Sequence, residues 1–278
     1  MPGKSVQLPY VAFSLVVCMA LVGSGATAGV PTLVLHLPFE DGMGSATAAD
    51  VTGNGHDGTL VNMDVNMDWV GGRAGLALDF DGSNDYVSVP DDAALDFGTG
   101  DFSVVIWVYK RSATVGFDNN YGVSKWVSGA INGSNEWCLL VGSGGATGDS
   151  ANFVVETGND RYGATSSQDM TLTAWHQSVG VRRAETLSSD VDGVLAGRNS
   201  SLPPNLLINN VGRHLRVAVN QPGHSMFYTD GLFDDLQIYD FALEDGGVTV
   251  GDVAGGDIAF LYQNPGLTMI VLSDGFES

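Results

Sequence analysis

Short runs in which apolar and polar residues alternate recur along most of the chain, and clusters of Gly, Asn and Asp separate them. A period of two is typical of β-strands that bury one face. Only Ala242–Asp245 and Ile258–Tyr262 favour helix, each for about one turn. The pattern predicts an all-β protein built as a two-sheet antiparallel sandwich or jelly roll. The predicted strands are Leu33–Phe39, Leu76–Phe80, Tyr86–Val89, Phe102–Tyr109, Trp137–Val141, Phe153–Glu156, Leu215–Val219 and Leu236–Tyr239.

The N-terminal residues have the pattern of an export signal. Lys4 precedes an apolar run over Val11–Val22, and Ala26-Thr27-Ala28 has the small residues that signal peptidase reads. The run is shorter than the roughly 20 apolar residues that span a bilayer. We therefore predict a signal peptide over residues 1–28, a secreted protein that starts at Gly29, and no membrane span in the mature chain.

No linker or change of composition divides residues 29–266, which we predict to form one domain. Residues 267–278 are left as a short C-terminal tail without an assigned role. Cleavage after Ala28 would remove Cys18 and leave Cys138 as the one cysteine, so that no disulfide could form within the mature chain.

Acidic residues dominate the charge. The chain has 32 acidic and 11 basic side chains, a net charge of −21. A surface of this sign repels the phosphates of nucleic acids, which excludes them as partners. Gly reaches 38 residues, so that tight turns are expected to be frequent.

Motifs at both ends of the predicted domain carry a family resemblance. Near the start stand LHLPFEDG at Leu35–Gly42, GLALDFDG at Gly75–Gly82 and DYV at Asp85–Val87; near the end stands GLFDDLQIY at Gly231–Tyr239. In this order they resemble laminin-G-like jelly-roll domains of the concanavalin A-like lectin/glucanase superfamily, over about residues 33–262. The resemblance implies two antiparallel sheets packed face to face. It also implies an extracellular adhesive or sugar-binding module, often with a structural calcium ion.

A calcium site is predicted where the resemblance and the acidic residues coincide. Asp50, Thr52 and Asn54 carry oxygen ligands at the spacing of a calcium loop, but Val61 stands where an EF-hand has Glu. In related glucanases the equivalent of Asp234 binds calcium, and alternation places Asp234 on the face of Leu236 and Ile238. The alternative is that these residues cap turns without metal. The candidate calcium ligands are Asp234, Asp41, Asp50, Asn54, Asp57 and Gly82.

No catalytic motif is found. The superfamily's retaining glucanases carry two Glu in E-x-D-x-x-E, which this chain lacks; the nearest segment, Asp190–Leu195, ends in Leu. Neither H-E-x-x-H nor G-x-S-x-G occurs. The sequence therefore predicts a protein that is not an enzyme, with a polysaccharide-active enzyme as a weaker alternative.

Four residues outside the predicted strands are candidates for ligand binding: Tyr121, Trp126, Arg161 and Tyr162. They lie in Gly- and Asn-rich stretches, where loops could form a rim at which rings stack on sugars. Alternatively, the aromatic rings attach long loops to the sandwich. We predict a secreted binding module for glycans or cell-surface proteins; the other possibility is an adhesive or structural surface protein without a sugar site.

Overall fold

The computed structural model of the protein describes residues 32–113, 120–126, 135–143, 149–158, 160–220, 222, 228–245 and 256–269. The predicted signal peptide, residues 1–28, lies outside these ranges, as does the predicted tail from residue 270 onward.

The described residues form sixteen strands and one short α-helix. Their bounds are β1 Leu33–Leu37, β2 Thr47–Ala48, β3 Gly58–Val61, β4 Trp69–Gly71, β5 Leu76–Asp81, β6 Tyr86–Val89, β7 Phe102–Lys110, β8 Asn120–Lys125, β9 Asn135–Ser143, β10 Ser150–Thr157, β11 Asp160–Asp169, β12 Trp175–Arg183, β13 Thr186–Val191, β14 Val194–Asn199, β15 Leu215–Val217, β16 Asp230–Tyr239 and α1 Gly256–Gln263. The predicted all-β jelly-roll sandwich is confirmed.

The strands pair into two antiparallel sheets. Sheet A has the order β14-β13-β12-β7-β16-β5-β4, and β1 also pairs with β16. Sheet B has the order β11-β10-β9-β8-β15-β6-β3-β2. The inner faces of the two sheets enclose the main core, in which Phe102 lies 5.5 Å from the rings of both Trp137 and Phe153 between ring centroids.

The eight strands predicted from alternation are all present. The pattern did not reveal strands that carry little apolar alternation, and β11 is the clearest of these. Its sequence, DRYGATSSQD, is mostly exposed, because β11 is the edge strand of sheet B. An edge strand needs fewer apolar residues than a central strand.

Of the two predicted helical turns, one is present. Ile258–Tyr262 lies within α1, which covers the outer face of sheet A with Ile258 and Leu261. The prediction for Ala242–Asp245 is wrong. There the side chain of Ser103 accepts a hydrogen bond from Leu243 N–H and donates one to Phe241 C=O, and these bonds hold the backbone outside a helix. Within the described residues, no helix is both long and apolar enough to cross a membrane.

One glycine in β16 provides a test of how closely the strands of sheet A approach. A Cβ at Gly231 would clash with the backbone carbonyl of Tyr109 in β7, which cannot move without breaking the sheet. We expect Gly231→Ala to lower the free energy of unfolding by about 1–3 kcal/mol, the usual range for overpacking. Urea unfolding measures this change. The control Gly71→Ala, at a position with open space for a Cβ, should leave stability nearly unchanged; equal effects would contradict the packing argument.

Asp190 in β13 provides a test by pH. Its side chain is fully buried and neither carboxylate oxygen has a hydrogen-bond partner. Burial, with a contribution from the charge of Asp245, raises the pKa of Asp190 to about 7, which the nearby Arg198 partly opposes. Because the pKa in the folded state exceeds that in the unfolded state, the stability of the wild type should fall as pH rises from about 4 to 7.

Asp190→Asn removes this titration. We expect the variant to match the wild type near pH 4 and to exceed its stability at pH 8 by on the order of 2–4 kcal/mol. Denaturant unfolding at the two pH values measures the difference, and all other groups titrate equally in both proteins. The same stability difference at both pH values would show that folding does not raise the pKa of Asp190.

Candidate functional site

The candidate site lies on the outer face of sheet B, the face turned away from the main core. In β9, Trp137 and Leu139 point into the core, so alternation turns Glu136, Cys138 and Leu140 outward. Cys138 and Leu140 form a second apolar cluster on this face with side chains from the neighbouring strands. The complete cluster is Tyr121, Trp126, Cys138, Leu140 and Val154.

Four polar and aromatic side chains form a row across this face, which we call the Trp126 row. Glu136 of β9 lies opposite Glu156 of β10, and Glu156 lies opposite Arg161 of β11. Trp126 follows Lys125 of β8, which pairs with Trp137, so that Trp126 stands beside Glu136. The guanidinium carbon of Arg161 is 5.5 Å from the centroid of the Trp126 ring, which is within cation–π range.

The structure brings three of the four predicted ligand-binding residues to this face. Tyr121 and Trp126 are buried in the second cluster, 4% and 6% exposed, whereas Arg161 is exposed. Tyr162 faces the other way and packs against the main core. The expected loop setting is wrong for Tyr121, Arg161 and Tyr162, which lie within β8 and β11; residues 114–119 and 127–134 lie outside the described part of the chain.

Charged groups continue along the face beyond the Trp126 row. Arg213 Nε lies 3.8 Å from Glu136 Oε1. Arg216 of β15 lies between Ser124 of β8 and Ser88 of β6. Burial raises the pKa of Glu156, and the charge of Arg161 opposes that shift.

The sequence did not reveal the juxtaposition of Glu136 and Glu156. The glucanase motif E-x-D-x-x-E pairs carboxylates within one strand, whereas these two Glu lie opposite one another on adjacent strands, with Cβ atoms expected about 4.5–5.5 Å apart. Assigning both segments to strands, and knowing which residues pair between them, would have revealed this contact. In Asp190–Leu195, the segment nearest to the glucanase motif, Asp190 is buried and Asp192 Oδ2 lies 2.7 Å from His176 Nδ1.

The acidic loop predicted to bind calcium is closed by its own hydrogen bonds. Asp50 accepts bonds from the N–H groups of His36, Thr52 and His56, each at 3.1 Å, and from the Thr52 hydroxyl at 2.8 Å. Burial alone would raise the pKa of Asp50, but these bonds outweigh it and the pKa lies below its ordinary value. This is the capping role that the sequence left open as the alternative to metal binding.

The remaining loop candidates make similar contacts. Asp57 Oδ1 accepts a bond from Asp50 N–H at 2.8 Å, and Asp41 Oδ2 accepts one from Ala49 N–H at 3.0 Å. The Asn54 side-chain amide donates to Val34 C=O. Gly82 has a φ of 71° and packs against Asp230 at the start of β16. Among the described residues, no three His, Cys, Asp or Glu side chains are grouped as a metal site requires.

Asp234 faces away from the side that alternation predicted. A β-bulge between Asp234 and Gln237, with Asp235 at a φ of 52°, inserts an extra residue, so that Phe233, Leu236 and Ile238 all point into the core. Asp234 lies on the outer face of sheet A beside its cross-strand partner Trp107. The predicted common face with Leu236 and Ile238 is therefore wrong, because a bulge shifts the alternation by one residue.

Two carboxylates hold the tight turn between β4 and β5. Asp234 Oδ2 accepts a bond from Ala74 N–H and Glu40 Oε1 accepts one from Leu76 N–H, both at 2.9 Å. Asp234 Oδ1 is buried and has no hydrogen-bond partner. Burial raises the pKa of Asp234 to about 7, against the lowering effect of the Ala74 hydrogen bond. A Cβ at Gly72 would clash with Leu76 C=O and Asp234, so that these oxygens line a space that only glycine leaves open.

Comparison with solved structures identifies similar folds at low sequence identity. Domain 4 of the extracellular arabinanase AbnA from Geobacillus stearothermophilus, in complex with arabinotriose, superposes with a TM-score of 0.60 and 17% identity over 84% of this chain and all of that domain. The binding domain of botulinum neurotoxin DC, in complex with SialylT, gives 0.55 and 12% over 83% of this chain. Trypanosoma rangeli sialidase, with the inhibitor DANA, gives 0.52 and 15% over 84%.

The chain spans about half the length of the toxin binding domain, 51%, and 33% of the sialidase. At these identities the likeness shows the fold alone. A search of curated proteins found no match. A family model described as concanavalin A-like lectin/glucanases superfamily matches residues 81–249, which is more than half of the chain. The chain therefore belongs to the concanavalin A-like lectin/glucanase superfamily, in its laminin-G-like branch.

Proposed function

We propose that the protein is a secreted, non-catalytic module that binds glycans on the outer face of sheet B. The observation that carries the proposal is the Trp126 row, in which an aromatic ring, two carboxylates and a guanidinium from four neighbouring strands meet on one face. Sugars are bound through stacking on rings and hydrogen bonds to charged and polar groups. The proposal also covers protein ligands that carry such glycans on cell surfaces.

The exposed part of the row is Arg161 with the half-buried Glu156, which can contact an oligosaccharide; Glu136 and Trp126 are buried behind them. Glu136, Glu156 and Arg161 sit on paired strands and Trp126 directly follows β8, so that the register of the sheet fixes their spacing. Arg161 is exposed and lies over Trp126, which keeps the guanidinium in place and available to a ligand. Structures of similar fold contain arabinotriose and SialylT, which supports a saccharide as the ligand class.

The pair Glu136 and Glu156 favours a second candidate function, glycoside hydrolysis. Retaining glycosidases hold two carboxyl groups about 5–5.5 Å apart, and cross-strand neighbours are close enough for such an arrangement. We rank binding first because the Glu136 side chain is fully buried, where a substrate does not reach it. The remaining alternative is an adhesive or structural protein without a sugar site.

A glycan array tests the proposal. We expect the wild type to bind a defined set of glycans, and Arg161→Gln to weaken that binding by about tenfold, the usual effect of losing a charge-assisted hydrogen bond. The matched control is Arg183→Gln, an exposed arginine on sheet A paired with Glu244. Absence of binding would support the adhesive or structural alternative, and release of reducing ends from bound glycans would support hydrolysis.

We also propose a structural calcium ion at Asp234, with Glu40 as the second carboxylate. The support is the buried Oδ1 atom of Asp234 without a hydrogen-bond partner, together with the carboxylate of Glu40 at the same turn. Carboxylate and carbonyl oxygens are the ligands that calcium prefers. The ion would fasten β16 to the turn after β4. In this proposal the Asp50–Asp57 loop keeps its capping role and does not contribute ligands.

Thermal melts in millimolar Ca²⁺ and in EGTA test the calcium proposal. At one hundred times Kd the ion stabilises by about 2.7 kcal/mol, which should raise the Tm of the wild type by several degrees. Asp234→Asn should abolish this response. The control Asp50→Asn should melt lower in both solutions, because it loses a cap, and keep the full response. A wild type that melts equally in both, or a response that survives in Asp234→Asn, would contradict the assignment.

A further inference from the structure

Among the described residues of the outer face of sheet B, arginines outnumber carboxylates, whereas the chain as a whole is acidic. The protein has a net charge of −21, with 11 basic residues in all. Three of these, Arg161, Arg213 and Arg216, lie on or beside this face near two carboxylates, Glu136 and Glu156. A local excess of positive charge in so acidic a protein requires an explanation.

Arg216 carries this excess. Its Nη1 donates to Asn220 C=O at 2.9 Å, and among the described residues no carboxylate lies within ion-pair distance of it. Three other well-buried or half-buried cations have an aspartate partner: Lys110 with Asp149, Lys125 with Asp96 and Arg111 with Asp230. The buried Arg182 instead donates two hydrogen bonds, to the carbonyls of Gly98 and Leu206. Arg216 is itself half-buried. A partly desolvated cation without a counter-charge is unfavourable, and an incoming anion would compensate it.

The neighbours of Arg216 increase this need. Burial lowers the pKa of Arg216, and the positive charge of Arg213 lowers it further. Arg213 Nε lies 3.8 Å from Glu136 Oε1, which is a long ion pair, and the Arg213 side chain is 42% exposed. Two arginines that repel one another and share so little negative charge form a natural position for an anionic group.

Small polar groups surround this position. Ser88 of β6 and Ser124 of β8 lie on either side of Arg216 in the register of sheet B, and Thr59 of β3 follows Ser88. His214 Nδ1 lies 2.9 Å from Ser88 Oγ. Hydroxyl and imidazole groups next to a guanidinium can bind both the acidic group and the hydroxyls of a sugar unit.

The positions of the two arginines indicate where a ligand would lie. Arg216 lies on β15 and Arg161 on β11, four strand spacings apart in sheet B, which puts their backbones about 19 Å apart. Both side chains reach toward Trp126: the Arg161 guanidinium carbon is 5.5 Å from its ring centroid, and Arg216 Nη1 is 3.5 Å from its C=O. The Trp126 row occupies the intervening strands. The two guanidinium groups therefore lie on different sides of Trp126, and an oligosaccharide that crosses this position would contact both.

We infer that the protein recognises an acidic oligosaccharide, with Arg216 and Arg213 binding a carboxylate or sulfate group and the Trp126 row contacting the adjoining sugar units. This inference rests on the proposed glycan-binding function and names its ligand class. Carboxylated and sulfated sugars present the same chemistry to a guanidinium, namely two or three anionic oxygens at hydrogen-bond distance.

An array of paired probes tests the inference with the full chain. It carries tetragalacturonate beside its methyl ester, a sulfated galactotetraose beside its unsulfated parent, and neutral arabino- and xylo-oligosaccharides. We expect binding to one acidic probe at least about tenfold tighter than to its neutral counterpart, because the charge-assisted bonds are lost. The two acidic probes distinguish a carboxylate ligand from a sulfate ligand.

Variants then assign the effect to the arginines. Arg216→Gln and Arg213→Gln should each reduce acidic-probe affinity by about tenfold, Arg216→Lys should recover part of it, and Arg183→Gln should match the wild type. Thermal melts establish that each variant is folded, and Arg213→Gln serves if Arg216→Gln is not, because Arg213 is the more exposed. Equal binding of charged and neutral probes, or undiminished binding by folded arginine variants, would overturn the inference and leave the proposed function standing. Absence of binding to every probe would overturn both.

Discussion

Strand β16 changes its partner halfway along, and the architecture of sheet A depends on this change. Its first half pairs with β5 through Gly231 and Phe233, and its second half pairs with β1 through Leu236 and Ile238. The bulge between Asp234 and Gln237 lies where the two halves meet. Because one edge of β16 serves two partners, the extra residue absorbs the offset between them and still keeps apolar side chains in the core.

The bulge also generates the polar contacts that fasten the ends of the domain. Asp235 Oδ1 lies 2.8 Å from His36 Nε2 of β1, and its Oδ2 accepts a bond from Gly266 N–H. Tyr239 hydroxyl donates to Gln237 Oε1 on the same face. The His36–Asp235 contact joins residues 199 positions apart in sequence. Contacts of such separation form late in folding, so that the first and last strands are expected to complete sheet A together.

Local patterns predicted much of this fold, and the reasons for the failures are specific. Alternation identified strands such as β7 and β9, in which every second residue enters the core. It failed at β11, whose exposed edge position requires no apolar alternation, and at Asp234, where a bulge reverses the face. Neither an edge nor a bulge leaves a local signal, because both are fixed by the strands that lie alongside.

The candidate site was harder to predict than the fold for a related reason. Trp126 and Arg161 were recognised as candidates, but their contact, and the pairing of Glu136 with Glu156, depend on the register of four strands. Tyr162 is next to Arg161 in sequence and faces the main core, which is a direct consequence of period-two alternation. A binding face on a sheet is therefore defined by cross-strand neighbours, which sequence spacing does not encode.

The aspartates that make the chain acidic also stabilise its turns, and their charge affects how an acidic ligand would be recognised. Many aspartates accept backbone hydrogen bonds in turns, as Asp50 and Asp81 do, so that the charge follows from the number of turns. The resulting field repels an anion at long range, and salt screens it beyond about 8–10 Å. The arginines of sheet B act only at contact, where screening is weak. Salt would thus speed encounter and change the bound state little, and selectivity would lie in the dissociation rate rather than in attraction from a distance.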